Sequence, residues 1–318
     1  MHSASEKKIR IVFMGTPDFA VASADALLQA GIEICAVVTV PDKPAGRGRK
    51  LRFSAVKEWA LQHGLPLLQP QDLRDPEFLR QLRALNAHLF VVVAFRILPE
   101  EVFTIPEHGT INLHGSLLPK YRGAAPINWA LINGEKETGV TTFFIDRTVD
   151  TGEILLQERT AIADEDNFGT LYGRLKEIGA ELLVRTVKGV MSGEITPQQQ
   201  HGEATRAPKL TPELRRIDWS RPAEAIHNLI RGLSPVPAAY TVLRGKRLKV
   251  LRSRPATEMN TQGPPGALHP EVLQQGRLAI NTGRGVLELL EVQPEGKKTM
   301  GAQDFLRGFH PGGQDVCE

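Results

Sequence analysis

Residues 88–95 carry the run Val91-Val92-Val93, apolar and β-branched with no polar alternation. A strand with one face in water alternates polar and apolar side chains, whereas a strand covered on both faces does not. This segment therefore demands a sheet with helices on either side. The surrounding sequence supplies them. Residues 9–14 form an apolar run ending at Gly15; Thr16 is placed to cap a helix over 19–28 and Pro17 to take its first position. Residues 34–40 read as the next buried strand. Ser54 is placed to cap a helix running to residue 63, with Val56, Trp59 and Ala60 on one face, and Asp75-Pro76 opens another carrying Phe78, Leu79, Leu82 and Leu85. Strands are expected over 110–113, 140–145 and 154–163, and helices over 127–132 and 171–191. This order predicts a doubly wound, mostly parallel α/β sheet. Ligands of such sheets lie beyond the strand C-termini, which singles out the loops after Phe95 and Leu113.

Residues 193–212 change character: polar, with three consecutive glutamines and Pro197, Pro208 and Pro212, they read as a linker. Beyond them, strand candidates at 239–243, 248–252, 277–281 and 286–292 are punctuated by glycines, the pattern of a small barrel. The expected organisation is a catalytic domain over 1–192, a linker over 193–212 and a C-terminal domain over 213–318.

Charge divides along the same line. Residues 207–318 hold 16 Lys/Arg against 11 Asp/Glu, whereas residues 1–206 hold 23 against 25. A second basic concentration, Lys43, Arg47, Arg49, Lys50 and Arg52, has no acid among residues 43–52. Such surfaces suit phosphate backbones, although a solvated basic loop has the same composition. Only two cysteines occur, Cys35 and Cys317, which excludes a disulfide scaffold and a cysteine-rich zinc site. The nine histidines show no HxxxH or HExxH spacing, so no metal is expected. No stretch approaches the roughly 20 apolar residues of a membrane span, and the N-terminus is polar, so no membrane association and a cytoplasmic location are expected.

Two clusters could carry chemistry. In Asn112-Leu113-His114-Gly115-Ser116, strand alternation sends Asn112 and His114 to the same side. An amide and an imidazole together at a strand end can hold a carbonyl oxygen that is becoming negative, or can simply be a buried pair satisfied by backbone groups. Asp150, in Val149-Asp150-Thr151-Gly152-Glu153, could orient His114 and hold a proton-relaying water, or could be an ordinary turn aspartate. Gly15-Thr16-Pro17-Asp18 lacks both the dinucleotide glycine pattern and the P-loop lysine, and reads as a structural turn.

Taken together, GTPDFA, PDKPAGRGRK, VVVAF, INLHGSLLPKYRGAAPINWAL and DTGEIL, continued by EDNFGTLY, RIDWS, SPVPAAYT and PEGKKTM, resemble the methionyl-tRNA formyltransferase family over nearly the whole chain. The INLHGSLLP and DTGEIL pair is shared by folate-dependent formyltransferases and hydrolases as a group. PAGRGRK and the C-terminal segments point to the tRNA enzymes. The resemblance implies a formyltransferase-type Rossmann domain followed by an OB-like barrel, with 10-formyltetrahydrofolate as donor and initiator methionyl-tRNA as acceptor. It implies that Asn112, His114 and Asp150 are catalytic. It places tetrahydrofolate against Ser116, Leu117, Leu118 and Pro119, and its pterin against Phe95, Arg96, Ile97 and Leu98. It implies tRNA contacts from Lys43, Arg47, Arg49 and Lys50, with Lys246, Arg247 and Lys249 of the barrel adding a general grip, and a monomer is expected. The chain departs from the family pattern at Phe95-Arg96-Ile97-Leu98-Pro99, which lacks a glycine and is one residue shorter, and at Val236, where an aromatic is common. The alternatives are a formyltransferase acting on a small amine, a formate-releasing hydrolase, and an RNA-binding protein without chemistry. The basic arm and basic C-terminal region argue against the small-amine reading.

Overall fold

The structure, a computed structural model, describes residues 8–45, 50–310, 312 and 315–318. Arg47 and Arg49 lie outside the described residues, as does the side chain of Lys50. The chain divides into two compact units. The first comprises residues 1–126, 139–160 and 172–206; the second comprises 127–138, 161–171 and 207–318.

The strands of the first unit, in chain order, are β1 (Arg10–Gly15), β2 (Glu33–Val38), β3 (Lys43–Ala45), β4 (Lys50–Arg52), β5 (Leu67–Leu68), β6 (Leu89–Val93), β7 (Thr110–His114), β8 (Arg122–Gly123), β9 (Glu137–Phe144) and β10 (Ile154–Ala161). The helices up to residue 192 are α1 (Asp18–Gln29), α2 (Ala55–Gln62), α3 (Pro76–Ala84) and α4 (Glu100–Phe103), then α5 (Pro126–Ile132), which after its first residue belongs to the second unit, and α6 (Phe168–Ser192), which belongs to the first from residue 172 on. The sheet runs β10-β9-β7-β6-β1-β2-β5. β5, β2, β1, β6 and β7 are parallel neighbours, and β7 meets β9 antiparallel. All five residues of β6 are buried, as its unalternating sequence requires. From β1 the chain winds outward through β2 to β5, then returns through β6 to β7 on the other side. The crevice where that direction reverses lies at the C-terminal ends of β1 and β6, where Gly15 pairs with Val93, and Val93 in turn pairs with Leu113.

Local signals hold at two helix starts: Ser54 Oγ accepts the Lys57 N–H, and the Asp75 carboxylate accepts that of Glu77. At α1 they do not. Thr16 does not cap; Pro17 occupies the capping position in an extended conformation without a side-chain bond. The Phe19 amide, left without a local cap, is met instead by Tyr172 Oη at 3.1 Å, and that hydroxyl donates to Asp18 Oδ1 at 2.7 Å. A remote side chain replaces the local cap, and burial with the neighbouring Asp18 pushes the Tyr172 phenol well above its usual range.

The second unit adds β11 (Arg206–Ala207), α7 (Ala223–Leu233), β12 (Ala239–Leu243), β13 (Lys246–Ala256), α8 (Pro270–Gln274), β14 (Leu278–Asn281), β15 (Val286–Pro294), β16 (Met300–Gly301) and α9 (Ala302–Phe309). β11 pairs with β8. The antiparallel sheet runs β12-β13-β15-β14, with β16 beside β15. Register shifts at Val250/Arg252 and Arg252/Ser253 bend β13 around the core, as bulges do. Isolated bridges then complete a ring: Ile280 with Leu268, Ala267 with Val316, and Cys317 with Leu243. Leu248 and Val250 point into the core, which includes Ile226, Ile230, Leu287 and Phe305.

Why 127–138 and 161–171 join this unit is visible in the contacts of α7. Asn128 Nδ2 donates to the Gly232 carbonyl at 2.7 Å, and a Cβ on Gly232 would lie 2.6 Å from Ile132 Cγ1, so only glycine permits this approach. Arg231, 6% exposed, donates to the carbonyls of Ala163 and Asp166 and to Asn228 Oδ1. Desolvation lowers its pKa from the usual arginine value.

Candidate functional site

β7 ends at the candidate cluster. Its odd-position residue Leu113 is buried, while Asn112 and His114 lie on the opposite face, as strand parity requires. Pairing with β9 sets Phe143 opposite Asn112 and Thr141 opposite His114. The rings of His114 and Phe143 meet edge to face at 6.5 Å. His114 is buried, and its Nε2 lies 2.8 Å from the Tyr121 carbonyl oxygen. A carbonyl only accepts, so Nε2 carries the proton and Nδ1 is the nitrogen left for other partners. Nδ1 lies 3.8 Å from Asp150 Oδ2. That oxygen also accepts the Gly123 N–H at 2.8 Å. Asn112 is half-buried, and among the described residues its side-chain amide has no hydrogen-bond partner. The fold thus gathers an imidazole, a carboxylate and the strand that carries an unpaired amide.

The turn after β7 is rigidly held. Ser116 Oγ donates to the Lys120 carbonyl at 2.6 Å, and the Ser116 carbonyl accepts Thr141 Oγ1 at 2.7 Å. Thr141 Oγ1 in turn accepts the Leu118 N–H and one N–H of Gln157, whose amide also donates to the Leu118 carbonyl. Leu118 is buried, and Leu117 packs over Gly139. The Leu118–Pro119 bond is cis. The Ser116 hydroxyl is therefore already committed to its own turn.

In the other loop, Phe95 and Leu98 pack on the core of β1, β6 and α3, while Ile97 is 77% exposed. Arg96 donates to the carbonyls of Pro70 and Gln71, and its buried Nε has no partner among the described residues. The missing loop glycine is thus accompanied by a guanidinium that ties this loop to residues 70–71.

Of the basic residues, Lys43 is exposed at the start of the β3/β4 hairpin, where it pairs with Arg52. On β13, Lys246 and Arg247 are exposed and Lys249 half-buried. Lys249 pairs across from Tyr240, and the Arg247 guanidinium stacks over the Tyr240 ring at 4.3 Å. Among the described residues no group of three or more His, Cys, Asp or Glu is placed to hold a metal ion, and no helix is long and apolar enough to cross a membrane.

Sequence patterns missed the residues that support this site. Tyr121, Arg122, Thr141, Gln157 and Gln200 touch its turns, but none lies in a spacing that announces chemistry. Tyr121 and Arg122 fall within the run INLHGSLLPKYRGAAPINWAL without a role of their own, and the glutamine run at 198–200 has the polarity of any linker.

Comparison with known proteins adds the following. A family model described as formyl transferase matches residues 7–187, and one described as formyl transferase, C-terminal domain, matches 209–310. A methionyl-tRNA formyltransferase of Caldanaerobacter subterraneus is 48% identical over 305 residues, covering 95% of this chain and 97% of the relative. One of Thermodesulfovibrio yellowstonii is 48% identical over 299 residues, covering 94% and 95%. Among solved structures, the sugar 3N-formyl transferase WlaRD matches with TM-score 0.65 at 20% identity, over 91% of this chain and 99% of that one. HypX of Aquifex aeolicus matches with TM-score 0.65 at 17% identity, over 97% of this chain and 49% of its own length. At these identities the two structures bear on the fold alone.

Proposed function

We propose, from the premise that the chain belongs to the methionyl-tRNA formyltransferase family, that Asn112, His114 and Asp150 carry formyl transfer from 10-formyltetrahydrofolate to the α-amine of initiator methionyl-tRNA. The donor supplies the activated formyl carbon. An α-amine has a pKa of about 7.7–8.0, so near neutral pH a substantial fraction is already nucleophilic and no strong base is needed. What must be stabilised is negative charge growing on the formyl oxygen and positive charge on the attacking nitrogen.

The Asn112 amide, half-buried and without a protein partner among the described residues, donates to that oxygen. His114 donates from Nδ1 in its imidazolium form, because Nε2 is spent on the Tyr121 carbonyl. The Asp150 carboxylate, 3.8 Å from Nδ1, offsets the imidazolium charge and holds a water that moves the amine proton toward the departing folate nitrogen. The observation that carries this reading is the shared face of Asn112 and His114 at the end of β7, with Asp150 beside the one free ring nitrogen.

The loops Ser116–Pro119 and Phe95–Leu98 flank the donor. Because the Ser116 hydroxyl and the Leu118 side chain are already committed, their contacts come from the backbone, whereas the exposed Ile97 side chain remains available. Lys43, Arg47, Arg49 and Lys50 engage the acceptor end of the tRNA. Lys246, Arg247 and Lys249, in a C-terminal domain over 213–318, grip the phosphate backbone. The enzyme acts as a cytoplasmic monomer.

The test is an assay of purified protein with 10-formyltetrahydrofolate and methionine-charged initiator or elongator tRNA. Formylation of the initiator alone is expected. RNA binding without folate-dependent product would reject catalysis, and formylation of a small amine in preference to charged tRNA would reject the acceptor. Asn112→Ala should lower turnover by about 10²–10³ with tRNA affinity intact; unchanged turnover removes Asn112 from the oxyanion site.

A further inference from the structure

Residues 198–205 lie across both turns that position the candidate catalytic groups. Gln198 exchanges two backbone hydrogen bonds with Ile154, of 2.7 and 2.9 Å. Gln199 donates to Glu153 Oε1 at 2.8 Å. Gln200 donates from Nε2 to the carbonyls of Asp150 at 3.0 Å and Gly152 at 2.9 Å. Its Oε1 accepts Nε and Nη2 of Arg122 at 3.2 and 2.6 Å. The amide has only one workable orientation, since its donors face two carbonyls and its acceptor faces a guanidinium. Farther along, Thr205 accepts the Tyr121 N–H on Oγ1 and the Arg122 N–H on its carbonyl, both at 2.9 Å.

These bonds fall where the backbone is least comfortable. Asp150 has φ +58 and Tyr121 φ +61, a region that residues with a Cβ avoid. Both belong to the histidine's surroundings: the Tyr121 carbonyl fixes Nε2, and the Asp150 carboxylate faces Nδ1. The contacts close a circuit from His114 to Tyr121, through Arg122 and Gln200 to Asp150, and back to His114.

We propose that Gln200 is a positioning residue for formyl transfer, holding Asp150 in its left-handed conformation and tying it through Arg122 to the turn that orients His114. This inference rests on the assignment of His114 and Asp150 as catalytic. Without the two donated bonds, the Asp150 turn relaxes and its carboxylate leaves the imidazole.

Gln200→Glu separates the two halves of the side chain. It preserves volume and the acceptor for Arg122, but turns a negative oxygen toward two carbonyls. Gln200→Ala removes both halves. Turnover should fall at least about tenfold in each variant, a barrier change of about 1.4 kcal/mol. Michaelis constants for donor and tRNA should stay within about twofold of wild type, because no substrate contact is lost. Adding Gln200→Glu to Asp150→Asn should cost nothing further, since Gln200 acts through Asp150. Gln200→Glu at wild-type turnover, while Asp150→Asn is crippled, overturns the inference alone. A raised Michaelis constant for tRNA with unchanged turnover also overturns it, as does a fully additive double variant. Asp150→Asn at wild-type turnover overturns the catalytic assignment and this inference with it.

Discussion

Asp150 shows how much structure is needed to hold one side chain in place. Its carboxylate meets the Gly123 N–H, its carbonyl meets Gln200, and its φ of +58 is sustained by what surrounds it. Gly152, two residues on, is equally constrained: a Cβ there would stand 1.7 Å from the Phe144 carbonyl oxygen. Gly152→Ala must therefore displace the turn from β9. Turnover should drop more than about tenfold, with a stability loss of about 1–3 kcal/mol in denaturant unfolding. Wild-type turnover in that variant would show that the turn tolerates displacement. At this scale the placement of Asn112 and His114 was legible because alternation along a strand depends only on positions two apart. The acceptor on Nε2 was not legible, because a backbone carbonyl has no signature in the sequence.

The barrel is held at element level by a buried carboxylate that joins three segments. Glu288 on β15, with a side chain 7% exposed, accepts Nε and Nη2 of Arg277 beside β14 and Nη2 of Arg254 on β13. The Arg277 hydrogen bonds, followed by the one from Arg254, lower the Glu288 pKa from the usual glutamate value despite its burial. A carboxylate depressed in the folded state contributes stability above its unfolded value of about 4.3, and loses it as pH falls through the lower folded value. Glu288→Gln should therefore be less stable than wild type by about 1.5–3 kcal/mol at pH 7. The gap should narrow below about pH 4 in denaturant titrations; a gap independent of pH would show that the ionised form is not what matters. The strands themselves were legible as short apolar runs between glycines. Their closure was not, because the bridging residues 267–268 and 316–317 carry no strand pattern of their own.

At the scale of the whole molecule, the excess of base over acid in residues 207–318 predicts an electrostatic share of RNA binding. Leu248 and Val250 face the core, so Arg247 and Lys249 stand on the outer face of β13 beside Tyr240. Removing both cations, as Arg247→Ala with Lys249→Ala, should raise the Michaelis constant for tRNA and leave that for folate unchanged. The slope of log affinity against log salt should become shallower by about 1–2; an unchanged slope would move the phosphate contacts elsewhere. The sequence by itself determined the sheet-and-helix order, the double burial of β6, the starts of α2 and α3, the side of β7 that bears Asn112 and His114, and the basic C-terminal third. Each of these follows from composition or from neighbours a few positions apart. The tertiary structure alone decided that Tyr172 serves α1 from 153 positions away, that 127–138 and 161–171 join the second unit, and that Gln200 spans 50 positions to Asp150. A hydroxyl, an amide or a guanidinium states what it is able to bond, but only the folded chain brings it a partner.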